Sequence, residues 1–234
     1  MGSGFFVCQS FLRELVSGKI TKGLLMSPQP FFHLIFDSDG TLSDSHNFSF
    51  EGVVEVFRQS RLPMPSYEEY REHCHPPYMN FYVERGVTAT KEQVYEWYYA
   101  KARYTEAELF PDVVRALKIL SRRELNCRLS VVSAQRNAIL LQQLAKVRHH
   151  FDPIVGERAQ KADELMRLRD LYPLPRERVL YIGDSKTDME DAQRAGITAV
   201  GITRGSGVHH VLRSSGAEHV IEHLDELLAM VGAA

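Results

Sequence analysis

Cysteine is scarce in this chain. Cys8, Cys74 and Cys127 stand far apart with no CxxC spacing, so neither a disulfide framework nor a zinc site is indicated, and a reducing compartment is the natural reading. Basic charge is neither in excess nor clustered: the formal net charge is -2, the pI is near 6.6, and no block of about five or six Lys or Arg residues appears. Nothing here would gather phosphate backbones, which argues against nucleic acid as a partner. No stretch approaches the roughly 18 consecutive apolar residues of a membrane span, so a soluble protein with no membrane partner is expected. Internal repeats and low-complexity tracts are missing too.

Residues 1–28 contain no long apolar segment followed by a small-residue cleavage site, so a secretory signal is not expected and the cytoplasm is the expected location. This stretch carries Phe, Leu, Arg and Lys with only Glu14 as an acid. That leaves a packed helix, a weak organelle-targeting segment, or a start assigned upstream of Met26. Residues 1–28 are read as an N-terminal extension to the fold.

What is present is an ordinary globular composition, 44% hydrophobic and 25% charged over 234 residues, enough for one large domain or a domain carrying a smaller insert. Short apolar runs at 31–36 (FFHLIF), 128–132 (RLSVV), 153–156 (PIVG), 179–183 (VLYIG) and 198–202 (TAVGI) suit strands buried in a parallel sheet. Helical patterns lie between them. Val113, Val114, Leu117 and Leu120 fall on one face after Pro111, which suits a first helical turn; Ile139, Leu140, Leu144 and Val147 make a second face, and Leu165, Leu168 and Leu171 a third. A helix from Lys186 to Ala195 would stop at Gly196. This βαβ rhythm predicts an α/β fold, a Rossmann-like three-layer core around a parallel sheet.

Residues 46–106 break the rhythm. They are helical and aromatic, with prolines at the joints, and predict a small all-helical insert; the core is then 29–45 and 107–234.

In open α/β sheets the ligand sits beyond the carboxyl ends of the strands. Strand one ends in LIFDSDGT and supplies Asp37 and Asp39; RLSVV ends at Ser133; VLYIG is followed by Asp184 and Asp188; Lys161 comes just after the third strand. Acids gathered at one edge need a cation, and hard oxygen ligands of this kind suit Mg²⁺. A carboxylate nucleophile can then attack phosphorus and form an aspartyl-phosphate. A second carboxyl two residues on can protonate the leaving oxygen and later deprotonate water, if its environment sets its pKa apart. Ser133, the backbone at Ala134 and Lys161 are what phosphoryl transfer adds to neutralise equatorial oxygens. Gly40 allows a tight turn behind the acids.

DSDGT after a strand, Ser133 after RLSVV, Lys161 in GERAQKADEL and GDSKTD at 183–188 resemble, in order, the four motifs of the haloacid dehalogenase-like superfamily. The helical insert after the first motif resembles the cap of its phosphoglycolate phosphatase and β-phosphoglucomutase branch. Pro111-Asp112 departs from the Pro-Gly common there. The resemblance implies a Mg²⁺-dependent phosphatase of a small phosphorylated metabolite. Asp37 would be nucleophile and metal ligand, Asp39 the acid/base and a ligand through its carbonyl, and Asp184 a further ligand. Asp188 would belong to the metal site by orienting Lys161 or a metal-bound water, and Thr41 and Ser133 would bind phosphoryl beside Lys161. From the cap, Arg71 and Tyr78 are candidates to touch substrate. A sugar phosphomutase and a non-catalytic scaffold remain alternatives; Asp39 counts against a dehalogenase or a phosphonatase. His73, His75, the His149-His150 pair and the His209-His210 pair read as surface, cap-lining or loop residues. Tyr95, Trp97, Tyr98, Tyr99 and Tyr104 read as cap core and cap surface, with the option that an aromatic cap face reads an organic leaving group.

Overall fold

The structure, a computed structural model, describes residues 32–232; the expected N-terminal extension lies outside them. Among the described residues six strands form one parallel sheet: β1 (Phe32–Phe36), β2 (Cys127–Val132), β3 (Ile154–Val155), β4 (Val179–Gly183), β5 (Thr198–Ile202) and β6 (His219–Ile221), in the order β3-β2-β1-β4-β5-β6. β1 lies centrally, with Leu34 level with Leu129 on one side and with Leu180 on the other. Strand order reverses between β1 and β4, so a crevice opens beyond their carboxyl ends.

The apolar runs are nearly continuous because both faces of the sheet are covered. Leu34, Phe36, Val131, Ile182 and Val200 face one layer, made by α5 (Val113–Leu120), α6 (Asn137–Gln143) and α10 (Glu226–Met230). Ile35, Val132, Tyr181 and Ala199 face the other, made by α7 (Ala162–Arg169), α8 (Lys186–Ala195) and α9 (His209–Ser214). The three-layer α/β core is thus present. No helix among the described residues is long and apolar enough to cross a membrane.

Several sequence expectations are corrected. Val114 and Leu171 are each 50% exposed: the buried stripe of α5 is Val113, Ala116, Leu117 and Leu120, and Leu171 lies beyond the end of α7. Pro111 sits in a turn ahead of α5 rather than in its first turn. β3 is only two residues long, and β6, short and opened by an exposed histidine, carries too little apolar pattern to be read from sequence.

Between β1 and α5 lie α1 (His46–Gln59), α2 (Tyr67–His73), α3 (Met79–Glu84) and α4 (Lys91–Lys101). Capping boxes start α2 (Ser66 with Glu69) and α4 (Thr90 with Gln93). These helices pack around their own cluster, which includes Val53, Val56, Phe57, Phe81 and Val94. Gly52 lets α4 approach α1, since a Cβ there would lie 2.7 Å from the Tyr98 ring. The chain leaves and re-enters the core through paired segments: Asp44 N donates to Glu108 O at 2.8 Å and Phe110 N to Leu42 O at 3.0 Å.

Candidate active site

Asp37 follows directly on β1, and its N–H donates to Ile182 O of β4 at 2.9 Å. The next residues turn tightly: Ser38 O accepts from Thr41 N, Leu42 N and Ser43 N, with Gly40 at φ +74°. A side chain at 40 is impossible for a second reason, because its Cβ would lie 2.4 Å from Asp184 Oδ2. The turn therefore brings the end of β1 against the loop after β4.

Asp37, Asp184 and Asp188 offer carboxylate oxygens that all lie within 4.8 Å of one another, and all three residues are buried. Lys161 Nζ lies 3.0 Å from Asp37 Oδ1 and 2.7 Å from Asp188 Oδ1. Asp188 is the well-satisfied member: Oδ1 also accepts from Tyr181 OH at 2.9 Å, and Oδ2 from Ser185 N and Oγ at 3.0 and 2.6 Å, closing the capping box of α8. Burial acts to raise its pKa, but Lys161 and the Ser185 hydrogen bonds hold it below the ordinary value. Asp184 Oδ2 accepts from Ser206 N and Oγ, both at 2.7 Å, and Oδ1 from Thr41 Oγ1 at 3.3 Å. Its pKa is pushed up to about 7, by burial first and then by the charge of Asp188. Asp37 is raised well above the ordinary value by burial, against the pull of Lys161 and with the push of Asp188, Asp184 and Asp39. Lys161 loses to burial but is raised overall by Asp188 and Asp37.

Three buried carboxylates face one ammonium, and Asp37 Oδ1 accepts no hydrogen bond. The donor set is all oxygen, close-set and short of positive charge, which fits a hard divalent cation such as Mg²⁺.

Asp39 occupies a different environment. Oδ1 accepts from Ser45 Oγ at 2.7 Å and Gln143 Nε2 at 2.9 Å, and Oδ2 from Gln135 Nε2 at 2.9 Å. Burial raises its pKa above the ordinary value, while these three donors offset part of the shift. Oδ2, with a single donor, keeps room for a proton, and Asp39 lines the same cavity as Asp37. Ser133 and Ala134 line it beside them; the Ser133 N–H is spent on Val155 O and its hydroxyl accepts from Gln135 N at 3.2 Å.

Of the sequence candidates, Asp37, Asp39, Ser133, Ala134, Lys161, Asp184 and Tyr78 line the cavity. Asp188 stands behind it on Lys161. Thr41 is fully buried with its hydroxyl on Asp184 and does not line the cavity. Arg71 donates to Gly207 O at 3.4 Å, joining the helical insert to the core, and is likewise absent from the lining. Sequence reasoning missed Ser45, Gln135, Gln143, Tyr181 and Ser206. The one available signal was the position of Gln135 two residues after Ser133.

Against known proteins, the family model described as haloacid dehalogenase-like hydrolase matches residues 34–202. This chain belongs to the haloacid dehalogenase-like hydrolase family. Relatives of this hydrolase include a protein named phosphoglycolate phosphatase from Photorhabdus laumondii, 22% identical over 93% of this chain and 96% of its own length. Another, named tyrosine-protein kinase PtkA from Mycobacterium tuberculosis, is 27% identical over 74% of this chain and 62% of its own length. Among solved structures, a haloacid dehalogenase-like family protein from Streptococcus pneumoniae has a TM-score of 0.71 and 27% identity, covering 86% of this hydrolase and 98% of that chain.

Proposed function

We propose that the protein is a Mg²⁺-dependent phosphatase of a small phosphate monoester, working through an aspartyl-phosphate at Asp37. The observation that carries this reading is the division of labour between the two aspartates after β1. Asp37 contacts Lys161 within the acidic trio, and Asp39 is held apart by Ser45, Gln135 and Gln143. The phosphoglycolate phosphatase relative supports the reaction class.

Asp37, Asp184 and, through Lys161, Asp188 would hold Mg²⁺, which supplies charge neutralisation at the phosphoryl oxygens when bound. The Asp37 carboxylate attacks phosphorus and the ester oxygen leaves. Lys161 lies where it opposes the charge of the equatorial oxygens, and the Ser133 hydroxyl can donate to one of them. Asp39, its pKa raised by burial, delivers a proton to the leaving oxygen. The resulting Asp39 carboxylate, steadied by three donors, takes a proton from the water that cleaves the acyl-phosphate. Helices α1–α4 act as a cap over this edge, pivoting on the paired segments at 42–44 and 108–110. Cys74 and Cys127, both free thiols, suit a cytoplasmic setting.

Phosphate release by the purified chain, with and without Mg²⁺, tests the reading together with Asp37→Asn. Metal-dependent release that the substitution abolishes supports it. Release that survives Asp37→Asn rules out Asp37 as nucleophile, and turnover of a sugar phosphate to its isomer without release would instead make the protein a mutase.

A further inference from the structure

The cavity at Asp37 is far larger than the acidic edge requires. Its volume is about 610 Å³, within the roughly 300–1,000 Å³ of sites that enclose drug-sized organic molecules. Seven of the ten tyrosines in the chain line it, all ten lying within the described residues.

Packing accounts for some of the seven. Tyr70, Tyr82 and Tyr98 belong to the apolar cluster of the helical insert or pack against it, and Tyr104 is buried. Tyr78, Tyr95 and Tyr99 stand outside that cluster. Tyr78 leaves 38% of its surface exposed, yet desolvation raises its phenol pKa well above the ordinary value. Exposure and desolvation coexist where the exposed surface faces an enclosed space.

Charge separates the two ends of the cavity. Its acidic lining residues, Asp37, Asp39, Asp184 and Glu157, all come from the core, as does Lys161. On the helical side the one formal charge among the described lining residues is Lys91, whose ammonium sits 5.4 Å over the Tyr95 ring. Burial lowers the pKa of His75, and that of His46 to about 3. Four hydroxyls on this side, those of Ser49, Tyr70, Tyr98 and Tyr104, are committed to one another. Tyr70 OH and Tyr104 OH donate to Ser49 Oγ at 2.6 and 3.0 Å, leaving the Ser49 proton for Tyr98 OH at 2.6 Å and the Tyr98 proton for Tyr104 OH. The Tyr78, Tyr95 and Tyr99 hydroxyls take no part in this network, so this wall presents ring faces edged by phenol groups, a surface suited to a flat organic group.

We propose that the leaving alcohol of the substrate carries a flat unsaturated ring, as a nucleoside or an aryl alcohol does. The ring lies against Tyr78, Tyr95 and Tyr99 while the phosphoryl group sits at Asp37. The inference rests on the phosphatase reading for the chemistry at Asp37, but the ring site binds whether or not turnover follows.

Calorimetric titration of the full-length Asp37→Asn protein in Mg²⁺, with adenosine monophosphate, phenyl phosphate, phosphoglycolate and glycerol phosphate, tests it without turnover. At least one ring-bearing ester is expected to bind about tenfold tighter than both small esters, as stacking on these rings predicts. Which of the two binds tighter separates a nucleoside from an aryl alcohol. Equal or tighter binding of phosphoglycolate or glycerol phosphate overturns the proposal, as does failure of both ring-bearing esters to bind. Failure of the phosphatase reading is a different result: no phosphate released from any of the four by the unsubstituted protein. Tyr78→Leu and Tyr99→Leu, with folding checked by their unfolding midpoints, should weaken the ring-bearing ester about five- to tenfold and leave glycerol phosphate within about twofold. Equal weakening of both assigns the two tyrosines a structural role and overturns the proposal.

Discussion

Asp188 Oδ1 accepts a hydrogen bond from Lys161 Nζ at 2.7 Å, and both side chains are buried. Either charge alone would be left without compensation in the interior, so removing one is expected to cost about 3–5 kcal/mol. Urea unfolding of Lys161→Met, Asp188→Asn and the double variant should show the double costing clearly less than the two singles together, by about 1 kcal/mol or more. Simple additivity would show that the pair is not coupled. Activity should fall about a hundredfold or more in Lys161→Met, since the variant loses an electrostatic contact to the transferred group.

Gly205 crosses Gly40 beneath Asp184: a Cβ at 205, where φ is +58°, would lie 2.4 Å from Asp184 Oδ2 and 2.5 Å from Gly40 Cα. Gly205→Ala is therefore expected to displace Asp184, one of the residues proposed to hold Mg²⁺, beyond the roughly 1–2 kcal/mol of left-handed strain. The check is the Mg²⁺ concentration giving half-maximal activity, which should rise about tenfold or more. An unchanged value would mean that Asp184 does not contribute to metal affinity.

Arg204 donates through Nη1 to Asp112 Oδ1 at 2.7 Å and through Nη2 to Thr41 O, and its Cζ lies over the Phe110 ring at 4.2 Å. Asp112 Oδ2 accepts from Leu224 N at 2.7 Å. Asp112, the point of departure from the Pro-Gly of the resembled branch, thus ties the return segment to the loop carrying Ser206, the donor to Asp184. Asp112→Gly should lower stability by about 3 kcal/mol, because it strands a largely buried guanidinium. Adding Arg204→Met to it should recover part of that loss in thermal unfolding.

His33 sits in the sheet with Nε2 2.8 Å from Ser130 Oγ. The Ser130 proton goes to Asp152 O at 3.0 Å, so Nε2 carries the hydrogen. Burial, helped by Arg128, lowers the His33 pKa to about 4 from 6.5. The unfolded chain takes up the proton first. The stability tied to the neutral ring is therefore complete above pH 6.5 and is lost as pH falls towards 4, roughly 3 kcal/mol in all. Unfolding free energy measured across that range should fall less steeply in His33→Gln; an identical slope would place the acid sensitivity elsewhere.

The core strands and the acids at their ends were legible because parallel strands buried on both faces read as apolar runs, and because Asp37, Ser133 and Asp184 immediately follow them. Gln135, Gln143 and Ser206 were not legible. Each is a common polar residue whose role arises when three separate segments converge on Asp39 or Asp184. Thr41 and Arg71 show the converse, since local position suggested ligand contact and the fold spends them on Asp184 and Gly207. The tyrosines of α4 were visible as a cluster. Which of them pack the insert and which face the cavity depends on the path of α3, a helix of six residues with no strong pattern.

The central claim is that Asp37 carries the phosphoryl group. In Asp39→Asn, an aryl phosphate with a good leaving group needs no acid to form the aspartyl-phosphate, while its hydrolysis still needs a base, so the intermediate should accumulate. Acid quenching during turnover in Mg²⁺, followed by mass spectrometry of the digested protein, should find a phosphoryl group on the peptide containing Asp37. Phosphate release that proceeds with no phosphoryl group on Asp37, or with one on another residue, would contradict the account.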